Sequence, residues 1–101
     1  ARLVNIRIHG VDEGKVRNLA SKVRDYAKRL IQSESIRGVS ILGPAPAPLS
    51  RVRRRWRWQL LMKGTSGQEI RKVASALLAE FGSARATGIT VEADVDPQSL
   101  L

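Results

Sequence analysis

The chain has 101 residues, 43% of them hydrophobic, and sets 18 Lys plus Arg against 9 Asp plus Glu, for a formal net charge of +9. That length suits one hydrophobic core and is short for two, so residues 1–101 are expected to form a single domain. The absence of cysteine excludes disulfides and thiolate metal sites, and the lone His9 excludes a histidine-based one. No apolar run approaches the roughly 18–20 residues of a membrane span. The chain is therefore expected to be soluble and cytoplasmic. Because it starts on Ala1 rather than Met, it is read as part of a longer protein. The cation excess is the footprint of a phosphate-rich partner. An anionic membrane fits less well, because the densest basic segment has strand rather than amphipathic-helix periodicity.

In chain order, Leu3 to His9 alternates Val4, Ile6 and Ile8 with Asn5, Arg7 and His9, the period of a strand, and Gly10 closes it. Asp12 suits an N-cap for a helix to about Gln32, since Val16, Leu19, Ala20, Val23, Ala27, Leu30 and Ile31 recur at helical spacing. Its other face carries Lys15, Arg17, Lys22, Arg24, Lys28 and Arg29, which reads equally well as a second basic surface or as solvated charge paired with residues such as Asp25. Val39 to Leu42 is a short strand entered through Gly38. Gly43 to Ser50 holds Pro44, Pro46 and Pro48 at every second position and is expected to be a stiff extended loop, either a long connection or a ridge that docks on another domain.

Residues Arg51 to Lys63 contain Arg51, Arg53, Arg54, Arg55, Arg57 and Lys63 and no acid. Alternation puts Val52, Arg54, Trp56, Trp58, Leu60 and Met62 on one side and Arg51, Arg53, Arg55, Arg57, Gln59, Leu61 and Lys63 on the other. This predicts one long strand, apolar behind and cationic in front, with Arg54 out of phase near its start. After Gly64-Thr65, Ser66 and Glu69 form a capping-box pattern. A helix follows on Ile70, Val73, Ala74, Leu77, Leu78 and Phe81, with Gly82 expected to end it in a left-handed conformation. Gly88 opens a last strand through Ile89, Val91, Ala93 and Val95, which Pro97 ends.

Strand, helix, strand, strand, helix, strand, with amphipathic helices and one-sided strands, predicts an α+β, ferredoxin-like βαββαβ sandwich. In it, two helices cover one face of a four-stranded, mostly antiparallel sheet. The third strand is then central. Its Trp side packs beneath the helices and its Arg side forms the open face.

Catalysis finds little support. The chain has no phosphate-binding G-x-x-x-x-G-K-[ST] loop, no Cys or His cluster, and no Ser beside a plausible base, so no catalytic residue, metal or cofactor is assigned. Glu92, Asp94 and Asp96 are better read as compensating Arg7 and the Arg strand than as a cation site, and His9 as an ordinary strand-end histidine. Nucleic-acid binding fits better. Arg51, Arg53, Arg55 and Arg57 on one strand face would stand about 7 Å apart, near the spacing of successive phosphates on one strand, and guanidinium forks bond phosphate oxygens in pairs. Together with Lys63 they are the candidate DNA-binding residues. Since the tryptophans fall on the core side, contact should be to the backbone rather than by base stacking, with weak sequence preference and steep salt dependence. Leu3 and Leu61 share the open side, which suggests that a neighbouring domain covers part of it.

Three blocks also carry a family resemblance. Ile41-Leu42-Gly43-Pro44-Ala45-Pro46-Ala47-Pro48, then Arg55-Trp56-Arg57-Trp58-Gln59-Leu60-Leu61, then Asp94-Val95-Asp96-Pro97 resemble, in order and near the same spacing, the closing segment of the PriA family of bacterial primosomal replication-restart DNA helicases. The first forty residues agree only in layout. The family's basic block falls on Arg53, Arg55, Trp56, Arg57, Trp58 and Gln59. The resemblance implies the C-terminal domain of a superfamily 2, ATP-dependent helicase acting on branched DNA at abandoned replication forks. It implies DNA partners with single-stranded and duplex arms, single-stranded DNA-binding protein, other primosome proteins, and other domains of the same helicase. The family's ATP, Mg2+ and zinc sites lie in other domains, so this segment alone should be neither helicase nor ATPase. A groove for the acidic tail of single-stranded DNA-binding protein would include Arg71 and Lys72. The leading expectation is a DNA-binding and domain-docking module. The alternatives are a protein-interaction domain for an acidic partner tail and an RNA-binding domain of the ribosomal kind, the latter at odds with the proline and DVDP blocks.

Overall fold

Val4, Ile6 and Ile8 have no exposed surface, and the strand that carries them sits inside the sheet. A computed structural model describes residues 2–82 and 88–95. Strand β1 spans Arg2–Gly10, helix α1 Glu13–Ser33, β2 Val39–Val52, β3 Arg55–Gly64, helix α2 Gly67–Phe81 and β4 Ile89–Val95. The sheet order is β2-β3-β1-β4, with β1 antiparallel to both β3 and β4, and β2 antiparallel to β3. This is the ferredoxin-like βαββαβ arrangement, with β3 and β1 central.

Local chemistry starts each helix where the sequence predicts. The Asp12 carboxylate accepts the Lys15 N–H at 3.1 Å, and the Ser66 hydroxyl oxygen accepts the Glu69 N–H at 3.4 Å, each satisfying a donor that a helix start leaves open. Val16, Ala20, Val23 and Ala27 of α1 and Ile70, Val73, Ala74 and Leu77 of α2 then turn inward onto Ile6, Ile8, Leu60 and Met62. A fully buried Leu or Ile stabilises by roughly 1.5–3 kcal/mol relative to exposure, so this layer is the main cohesive element. Tyr26 and Phe81 join the two helices edge to face, with ring centroids 5.5 Å apart at 86°.

Three expectations are corrected. The segment Arg51 to Lys63 is not one strand: β2 runs to Val52, the chain reverses at Arg53-Arg54, and β3 begins at Arg55. Gly43 to Ser50 is not a loop but part of β2. An edge strand accepts prolines because one of its sides has no ladder to donate to. The pairing is irregular there, shifting between Leu42 and Ala45 and again between Pro46 and Arg51. Gly82 caps α2 with φ −62°, a right-handed rather than left-handed geometry. Gly88 does take the left-handed conformation, at φ 81°, just ahead of β4. Asp96 and Pro97, the end of the DVDP block, lie outside the described residues.

Candidate nucleic-acid interface

The β2–β3 connection is two residues long, and both occupy left-handed backbone space, Arg53 at φ 53° and Arg54 at φ 63°. This is the twist a tight hairpin requires, normally supplied by Asn-Gly rather than Arg-Arg. The reversal also changes which arginines share a face. Residues that pair across an antiparallel ladder point to the same side, and Arg51 pairs with Trp56 while Val52 pairs with Arg55. Arg51 therefore lies on the tryptophan side, not on the open face expected from uninterrupted alternation. Its guanidinium carbon stands 5.1 Å from the Trp56 ring centroid, a cation–π contact. Trp56 is half-buried under it rather than part of the core, whereas Trp58 packs against the core cluster.

On the open face, β3 presents Arg55, Arg57, Gln59, Leu61 and Lys63, beside His9, Arg7, Asn5 and Leu3 of β1. Arg55 is braced rather than loose. Its Nε–H donates to His9 Nδ1 at 3.0 Å, and its Nη2 donates to the His9 carbonyl oxygen at 3.3 Å. Because Nδ1 accepts, His9 carries its proton on Nε2, which lies 3.4 Å from Glu92 Oε1. The same carboxylate oxygen is 3.6 Å from Arg7 Nη2. Burial, and then the Arg55 charge, hold the His9 pKa below the ordinary histidine value, and the opposing pull of Glu92 is weaker. Glu92 thus compensates Arg7, as the strand pattern predicts, and supports His9 as well.

Arg57 is exposed opposite His9, and with Arg7, His9, Ala47, Trp58 and Glu92 it lines a small pocket of about 90 Å³. Arg53 and Arg54 are exposed at the turn. Arg53, Arg54, Arg55 and Arg57 thus gather at the hairpin end of the sheet. Lys63 does not join them, because it pairs with Leu3 at the far end of β3, about 20 Å from Arg57 at the rise of a strand. Around it the open face is more apolar, with Leu42, Leu61 and Leu3 in adjacent register positions and Leu42 54% exposed.

Arg71 and Lys72 sit on α2, in the layer that covers the opposite face of the sheet. Lys72 Nζ is 3.0 Å from Glu34 Oε1, and that hydrogen bond and charge raise its pKa. Arg71 packs over Gly67, where an added Cβ would meet its Nη1 at 3.0 Å and Arg2 Nε at 3.6 Å. Among the described residues, no group of three or more His, Cys, Asp or Glu could hold a metal ion, and no helix is long and apolar enough to cross a membrane.

Sequence reasoning undervalued two residues. Arg54 broke the alternation, and that misfit marked the chain reversal. His9 is the hydrogen-bond partner of the central arginine, a role only the strand register reveals.

Residues 1–98 match the model of the family described as the primosomal protein N C-terminal domain. The chain belongs to this family. Relatives of the primosomal domain include replication restart protein PriA of Haemophilus influenzae, 35% identical over 86 residues, covering 82% of this chain and 11% of the relative. The same-named protein of Treponema pallidum is 32% identical over 94 residues, covering 93% of this chain and 14% of the relative. The chain thus spans a small fraction of the proteins it matches. Among solved structures, the designed protein Foldit4 has a TM-score of 0.66 at 17% identity, covering 96% of this chain and 97% of that one. A designed protein described as having a ferredoxin fold also has a TM-score of 0.66, at 15% identity, covering 96% and 85%. These two likenesses concern the fold alone.

Proposed function

We propose that this domain is the DNA-contacting and domain-docking part of a PriA-type replication-restart helicase, holding the backbone of stalled or branched forks while other domains perform the ATP-driven work. The observation that carries it is the hairpin end, where Arg53, Arg54, Arg55 and Arg57 gather and where the chain has no acid between Glu34 and Glu69. The partner is DNA phosphate, with Arg57 and the turn arginines as the exposed contacts and Arg55 held in place by His9. Trp58 packs on the core and Trp56 lies under Arg51, an arrangement that favours backbone contact over base stacking. The apolar end around Leu42 and Leu61 suits docking onto a further domain, the PriA relatives being several times longer than this chain.

The test is fluorescence anisotropy of a labelled fork, a plain duplex, a single strand and an RNA hairpin titrated with the 101-residue chain at low salt. Binding to the DNA substrates is expected. A chain that binds none of them overturns the reading. A second reading rests on Arg71, which lies beside Gly67 at the start of α2. That end of the helix would receive an acidic peptide such as the tail of single-stranded DNA-binding protein, with Lys72 already engaged by Glu34. Titration with an acidic peptide separates the two, since Arg71→Ala would weaken peptide binding and leave fork binding unchanged.

A further inference from the structure

We propose that the Arg53-Arg54 turn is a minor-groove probe, a pair of guanidiniums presented off the end of the sheet for insertion into the narrow groove of duplex DNA. The inference rests on the DNA-binding reading above and specifies which part of that site touches what. Its first support is backbone cost. Both residues sit at positive φ, a conformation that L-residues with side chains adopt at a penalty and that Asn-Gly adopts readily. Strain of this kind persists where the side chains have a use that simpler residues cannot supply.

The second support is that these cations are unengaged while their neighbours are fixed. Among the described residues Arg53 and Arg54 make no hydrogen bond or ion pair, and both are exposed. On either side of the turn, Arg51, two positions before it, lies over Trp56, and Arg55, one position after it, is bonded to His9. The base of the turn is thus braced and its tip is free to reach.

Shape selects the groove. Pairing between β1 and β3 stops at Gly10 and Trp56, and beyond that rung the hairpin adds only the Val52–Arg55 pair, about 3 Å of further strand. Below the turn, Ala47 to Ser50 bow out opposite Arg57. So short and widened a ribbon does not fill a major groove about 12 Å wide and 8.5 Å deep. Arginine side chains from adjacent residues do suit a minor groove about 6 Å wide, whose negative potential is strongest in A·T tracts. Arginine leaves water more readily than lysine, which favours it for such insertion.

The test uses the 101-residue chain and two double variants. Arg53→Asn with Arg54→Gly relaxes the turn, and Arg53→Lys with Arg54→Lys keeps both charges. Thermal melting should show the Asn/Gly variant at least as stable as the parent chain, while its affinity for an A·T-tract duplex falls roughly ten-fold or more. The Lys variant should lose most of the preference for A·T-tract over G·C-rich duplex, and netropsin, which occupies the minor groove, should compete with the parent chain. Equal affinity of the Asn/Gly variant and the parent chain overturns the proposal, as does a loss that is the same on both duplexes and insensitive to netropsin. In either case the parent chain still binds DNA, which separates this failure from that of the broader reading, where the parent chain binds none.

Discussion

Arg55 donates its Nε–H to Nδ1 of His9 at 3.0 Å and so ties β3 to β1 at the end of the sheet where the cations gather. The bond needs an unprotonated Nδ1. The groups facing the imidazole are Arg55 and Arg57 from β3 and Glu92 from β4.

The contact makes stability depend on pH in a definite direction. His9 has a lower pKa in the folded chain than the roughly 6.5 of an unfolded one, so below that value the unfolded state binds more protons. Its contribution is present above about pH 6.5 and lost as pH falls through the lowered folded value. Melting temperature should drop between pH 7.5 and pH 5, and His9→Gln should drop less over the same interval. An equal decline in both chains would show that His9 is not the responsible group.

The two tryptophans should respond differently to truncation. Trp58 packs on the core, so Trp58→Ala should cost about 2–4 kcal/mol, whereas Trp56→Ala, which mainly uncovers Arg51, should cost about 1 kcal/mol. Trp58 Nε1 is buried without a hydrogen-bond partner among the described residues, so Trp58→Phe should cost less than 1 kcal/mol or stabilise. Urea unfolding of the three variants checks the order.

Two glycines make a matched pair. Gly38 has φ 76°, and a Cβ there would lie 2.7 Å from Thr65 Oγ1, so Gly38→Ala should destabilise by about 1–3 kcal/mol. Gly82 has φ −62° and, among the described residues, nothing within 4 Å of an added Cβ, so Gly82→Ala should be neutral or stabilise by up to about 1 kcal/mol. Chemical denaturation of both distinguishes these outcomes from a general intolerance of substitution.

Much of the fold was legible because its signals are local. Asp12 and Ser66 cap the helices that the apolar spacing outlines, and Val4, Ile6, Ile8, Leu60 and Met62 are the buried side of the strands that alternation outlines. The site was legible only in part. Alternation runs on across a two-residue reversal, and the turn inverts which residues share a face, so Arg51 was placed with Arg55 when it belongs with Trp56. Turn chemistry gave no warning, because Arg-Arg is not a pair that favours left-handed backbone. Prolines suggested a loop for the same local reason. Their tolerance on β2 depends on its being the edge strand, a property of the whole sheet.

The central claim is that the exposed arginines of the hairpin end bind the DNA polyanion and displace its counterions, and salt dependence tests it most directly. Affinity for a forked duplex should be measured across a salt series for the parent chain and for a triple variant with Arg53, Arg54 and Arg57 each changed to Gln. Neutralising about four phosphates predicts a slope of log affinity on log salt of roughly −3 to −4, falling to about −1 in the triple variant. A flat slope for the parent chain, or the same slope and affinity in both, would contradict the account.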